Sequence, residues 1–147
     1  MSRYHQLRVQ LSINAAPDRV WAALVDVEQI KKWWGAAQGR IELRQRGLWA
    51  LAWKGERQGF GHVLSGLVRW LRPKQRLRVE PLVYFNPAQP APQLMRMSLS
   101  ITRAAGRTRV AVRQEPLGEA LDWGSYSREA ARAWKAALEN LKRFLED

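Results

Sequence analysis

The chain contains no cysteine and only two histidines, His5 and His62. Disulfide bridges and cysteine-ligated zinc are therefore excluded, and a histidine-rich metal centre lacks its ligands. No apolar run approaches the roughly 20 residues needed to cross a bilayer as a helix. The opening Met1–Gln6 lacks the apolar core of a signal peptide. These absences predict a cytoplasmic protein without a cofactor or metal. Acidic residues are also scarce, 13 against 25 Lys and Arg, for a net charge of +12. Catalytic signatures are missing too. There is no Gly-x-Ser-x-Gly elbow. Gly59-Phe60-Gly61 lies inside a strand pattern and does not open a helix, so it is not a phosphate loop.

What is abundant is tryptophan, with 8 in 147 residues. Side chains of that size either fill a large core or line a cavity. The length predicts one domain over residues 1–147, enough to bury a substantial core.

Apolar residues recur with a period of two through most of the chain, which marks half-buried strands. Leu7, Val9, Leu11 and Ile13 alternate with polar neighbours. So do Ile41 and Leu43, then Trp49, Leu51 and Trp53. Phe60, His62, Leu64, Val68 and Trp70 share a parity in a longer strand, although Val63, Leu67 and Leu71 make its other face partly apolar. Gly59, Gly61 and Gly66 predict bends or a bulge there. Leu77, Val79, Val83 and Phe85 follow, then Met95, Met97, Leu99 and Ile101, then Val110 and Val112. Lys54–Arg57 reads as a hairpin turn, and residues 86–92 as a Pro-rich loop.

Two segments switch to helical spacing. After the first strand, Pro17 and Asp18 suit a helix start, and Val20, Trp21, Leu24 and Val25 follow. Asp26 and Gln29 resemble a capping box for a second short helix, which Gly35 ends. At the C-terminus, Tyr126, Ala130, Trp134, Ala137, Leu138, Leu141 and Leu145 form one stripe of a long amphipathic helix. Ser127 or Asp122 would cap it. Strands joined by short turns pair antiparallel. The last helix is the only element long enough to cover the apolar face of the resulting sheet.

The stretches Ile13–Leu24, Ile30–Gly35, Gly66–Pro73 and Ala133–Lys142 resemble START-like SRPBCC proteins. They are most similar to the branch of the activator of the heat-shock-protein-ninety ATPase. The order of elements agrees over nearly the whole chain, with departures at residues 86–92, at Ala133 and over residues 117–127. The resemblance implies an α+β helix-grip (START/Bet v-like) fold. Its parts are a curved antiparallel sheet of six to seven strands, two short helices and a long C-terminal helix, with a cavity between sheet and helix. It does not imply one activity.

On the inward parity, Trp49, Trp53, Phe60, His62, Phe85, Met95, Met97, Trp134 and Leu138 converge as candidate ligand-binding residues. The competing reading is a filled core of the same rings. His62 would be a polar handle or a general base. No carboxylate in its strand has the spacing to orient it, and no catalytic set is visible. Glu119 and Asp122 fall near the expected cavity mouth. The leading expectation is non-enzymatic binding of a small hydrophobic or amphipathic ligand. The alternatives are a protein-binding, chaperone-cofactor-like role, for which Trp33 and Trp34 would form an exposed patch, and a cyclase- or hydrolase-type enzyme. The chain would be a monomer or a homodimer.

Ten arginines from Arg40 to Arg113 fall largely on the outward parity, interrupted by Glu42, Glu80 and Glu115. Such a face would attract polyanions. Nucleic acid is nevertheless disfavoured as a partner, because no aromatic platform interleaves with the arginines.

Overall fold

Strand β1 (Leu7–Ile13) and strand β2 (Gln38–Ile41) hold opposite edges of one seven-stranded antiparallel sheet. Between them the chain crosses by α1 (Pro17–Val25) and α2 (Val27–Trp34). It then returns strand by strand through β3 (Leu48–Lys54), β4 (Phe60–Arg72), β5 (Arg76–Phe85), β6 (Gln93–Ala104) and β7 (Arg107–Pro116). The spatial order is β1-β7-β6-β5-β4-β3-β2. Helix α3 (Trp123–Glu146) closes the apolar face and packs on β1 and α2. The computed structural model describes residues 6–55, 60–88, 92–118 and 122–147. Among these, no helix is long and apolar enough to cross a membrane.

The local chemistry behaves as the residue types require. Pro17 opens α1. Asp26 caps α2 by accepting the Glu28 N–H at 3.1 Å. Gln29 donates to the Asp26 carboxylate, while the Asp26 N–H that it would accept in a capping box donates to the Ala22 carbonyl, so the capping box is only half made. Gly35, at φ 77°, ends α2 in the left-handed conformation that costs glycine least. The start of α3 differs from expectation. Asp122 stands at its N-cap with no side-chain hydrogen bond, and Ser127 donates to the Gly124 carbonyl.

The inward face is set by period two in β1, β3, β6 and β7. Trp49, Leu51, Met95, Met97, Leu99, Val110 and Val112 are all buried. In β4 and β5 strict alternation fails. The β4–β5 register shifts between Gly66 and Val68 and again between Val68 and Trp70, and the β5–β6 register shifts between Val79 and Leu82. Each bulge inserts a residue and exchanges the faces of the residues beyond it. Val68 stays buried, whereas Trp70 turns outward and is 37% exposed. Leu82 and Tyr84 replace Val83 and Phe85 on the inner side, leaving Phe85 48% exposed. Phe85 is therefore not a cavity residue, and Trp70 is not a core residue. Gly66 permits the close approach, since a Cβ there would meet the Pro81 carbonyl oxygen and lie 2.7 Å from a Val79 methyl.

Candidate functional site

The inner face of β3–β5 presents Trp53, His62, Leu64 and Tyr84, and α3 lays Tyr126, Glu129, Ala130, Ala133 and Trp134 across them. Residues four and seven or eight apart share one side of a helix, so the α3 stripe that begins at Tyr126 returns at Ala130, Ala133 and Trp134. Small alanines at 130 and 133 leave room that larger residues would fill. Trp34, from the end of α2, completes a cavity of about 180 Å³.

Its walls are mostly rings in contact with one another. Trp34 meets Trp53 edge-on at 4.9 Å between centroids and Trp134 at 4.6 Å. Trp53 stacks on His62 at 4.6 Å, and His62 lies 5.8 Å from Tyr84. Tyr84 continues to Tyr126 at 5.3 Å. The Trp53 indole donates to the Trp34 carbonyl at 3.1 Å, which locks the end of α2 onto β3. Ring contacts of this kind contribute beyond their buried area and fix side-chain orientation. The wall is thus largely preformed.

Three polar features break the apolar lining. The first is Tyr126, buried at the sheet side of α3. Its hydroxyl donates to the side-chain oxygen Oε1 of Gln114 at 2.8 Å, and Nε2 of the same amide donates to the Met97 sulfur at 3.5 Å. Burial pushes the phenol well above its ordinary range, so Tyr126 remains protonated and acts as a hydrogen-bond donor, not as a base. The second is His62. Desolvation lowers its pKa, which keeps the imidazole neutral near physiological pH. The third is Glu129, an exposed carboxylate on the cavity wall. Among the described residues, no group of three or more His, Cys, Asp or Glu is placed to hold a metal ion. The arrangement offers shape, ring faces and a neutral imidazole, which suit the holding of a guest.

The model of the family described as activator of Hsp90 ATPase homolog 1-like protein matches residues 14–146. The chain belongs to this family. Among solved structures, a protein of Chromobacterium violaceum superposes with a TM-score of 0.76 at 18% identity, covering 98% of this chain and 99% of its own. The Aha1 dimer of Colwellia psychrerythraea, solved in solution, gives 0.69 at 17% identity over 96% of both chains. DynU16, described as a putative protein of the dynemicin biosynthetic locus, gives 0.71 at 20% identity over 97% of this chain. This chain spans only 47% of DynU16. No curated protein matches in sequence. These likenesses establish the START-like SRPBCC fold that the motifs resemble.

Within this Hsp90-activator-like fold, the expected site residues separate into three groups. Trp53, His62 and Trp134 line the cavity. Trp49, Met95, Met97 and Leu138 are buried in the core and are not part of its lining. Phe85 faces out. The Phe60 side chain, Glu119 and the Glu56–Arg57 half of the Lys54–Arg57 turn lie outside the described residues. Trp33 and Trp34 do not form an exposed patch. Trp33 is buried and donates to the Ala23 carbonyl at 2.8 Å, and Trp34 is half-buried in the cavity wall. Sequence reasoning missed Trp34, which it placed in an exposed patch, Tyr84, because of the bulge, and Glu129, because its polarity hid it from an apolar stripe. Its place three residues after Tyr126 was the available signal.

Proposed function

We propose that the cavity binds a small, mainly apolar molecule of about one ring, held by contact with aromatic faces and without chemical conversion. The observation that carries this reading is a half-open cavity of about 180 Å³ walled by Trp34, Trp53, His62, Tyr84 and Trp134. Drug-sized ligands occupy cavities of roughly 300–1,000 Å³, whereas about 150 Å³ lined by apolar groups accommodates benzene. The volume therefore favours a compact aromatic guest over a lipid chain. His62, kept neutral by desolvation, would supply one orienting hydrogen bond. An enzyme of the cyclase or hydrolase kind would use the same cavity, with His62 and Glu129 as its titratable pair.

Native mass spectrometry of protein purified without denaturation would reveal a retained small molecule. Calorimetric titration with phenol and indole supplies defined probes. Ala130→Leu places a larger side chain into the cavity, and it should abolish probe binding while the melting temperature holds or rises. Wild-type protein that carries no guest and binds neither probe would overturn the proposal. So would an Ala130→Leu protein that binds as well as wild type.

A further inference from the structure

The outer face of the sheet carries a feature that a cavity binder does not need. Arg8, Arg113, Ser98, Arg78 and Trp70 face one another in a single row across β1, β7, β6, β5 and β4. Four strand spacings make that row about 19 Å long. In the next row Arg72 faces Arg76 across the β4–β5 hairpin. Natural sheets disfavour like charges placed directly opposite. Here two such pairs, Arg8 with Arg113 and Arg72 with Arg76, have no carboxylate within ion-pair distance among the described residues.

Trp70 stands inside this field. The bulges in β4 turn its indole outward, and the Arg76 guanidinium lies 5.9 Å from its ring centroid. A basin of about 340 Å³ lies on one side, lined with Arg72, Arg76 and Thr102, and a second of about 470 Å³ on the other, lined with Arg69, Arg78 and Arg96. Glu80 sits in the second basin, 3.3 Å from Arg78 and 3.8 Å from Arg96, and Glu115 takes up part of the Arg96 charge at 3.4 Å. Both Glu80 contacts run from the buried Nε atoms of Arg78 and Arg96, at ion-pair distance but without hydrogen-bond geometry. The two carboxylates leave the face strongly positive.

We propose that this face binds single-stranded nucleic acid, with the arginines holding phosphates and Trp70 stacking on a base. Guanidinium groups match phosphate oxygens in bidentate geometry. An exposed ring between concave basic basins suits unpaired bases, which offer their faces to aromatic side chains. A duplex keeps its bases stacked internally and would leave Trp70 unused. A flat anionic bilayer would leave both basins empty.

The test is fluorescence anisotropy with labelled oligo-dT and oligo-rU of 20 nucleotides across a series of salt concentrations. The triple substitution Arg72→Ser, Arg76→Ser, Arg78→Ser should weaken binding at least tenfold and flatten the log–log salt slope by about two, at about 0.7 for each phosphate no longer neutralised. Trp70→Ala should cost at least fivefold, and Trp70→Phe clearly less. A control that removes the same charge from α3 (Arg132→Gln, Lys135→Gln, Arg143→Gln) should stay within twofold of wild type. Trp70→Phe and the control keep their meaning if the arginine triple fails to fold. The proposal is overturned if the control weakens binding as much as the triple, or if Trp70→Ala changes nothing. Tighter binding of a duplex of equal length, or of phosphatidylglycerol vesicles, overturns it as well.

Discussion

His62 illustrates how one side chain's surroundings decide what it can do. It is stacked on Trp53 and flanked by Tyr84, and desolvation alone lowers its pKa. In the unfolded chain the ring takes up a proton near its ordinary value of about 6.5. The folded state resists that proton, so the unfolded state binds more protons as pH falls below that value. Stability is therefore undiminished above about pH 6.5 and declines as pH drops through the window down to the lowered folded value. A guest that displaces water from His62 deepens the same effect, and its affinity should fall in step. Urea melts at pH 7.5 and 5.5 would register this as a loss in wild type that His62→Phe largely lacks. An equal loss in both proteins would assign the pH response to other groups. Tyr126, by contrast, is held in its protonated form by burial, so it takes no part in this window.

At the scale of elements, the strands that kept strict alternation were legible from residue types, and so was the α3 stripe. Their inward sets are those that period two or 3.6 would select. The failures lie in β4 and β5, where Gly66 and the Val79–Leu82 segment shift the register. A glycine announces that a bend is feasible, but it does not say which residue the bulge will insert. One inserted residue in each strand was enough, in β4 to move Trp70 outward and in β5 to move Phe85 outward and bring in Tyr84. The cavity was legible through Trp53, His62 and Trp134 and blurred wherever it drew on β5. Gly66 is the residue on which this rearrangement depends. Gly66→Ala would press a methyl against a Val79 side chain only 2.7 Å away and against the Pro81 carbonyl oxygen. Separating β4 from β5 to make room should cost about 1–3 kcal/mol, the usual range for overpacking. A denaturation midpoint within error of wild type would show that the bulge does not rely on glycine.

For the molecule as a whole, a net charge of +12 on 147 residues means that folding gathers like charges. Compaction then works against self-repulsion, which salt relieves. The sheet concentrates this opposition where Arg8 faces Arg113. Replacing Arg8 with Glu converts a repulsive cross-strand pair into an attractive one. Such pairs contribute roughly 0.2–1 kcal/mol. In a protein of this size the melting temperature should rise by about 1–4 °C. The gain should be largest at low ionic strength and should shrink as salt is added. The same substitution should weaken oligonucleotide binding, because it removes a cation from the row that ends at Trp70. The two effects have opposite signs. That opposition is expected of a face shaped for an external anion, since its charges are unfavourable in the free protein and become favourable only when phosphates arrive. If Arg8→Glu lowered the melting temperature at low salt, the pair would be supported from within the fold. Its like charges would then need no outside partner to explain them, whatever the binding measurement showed.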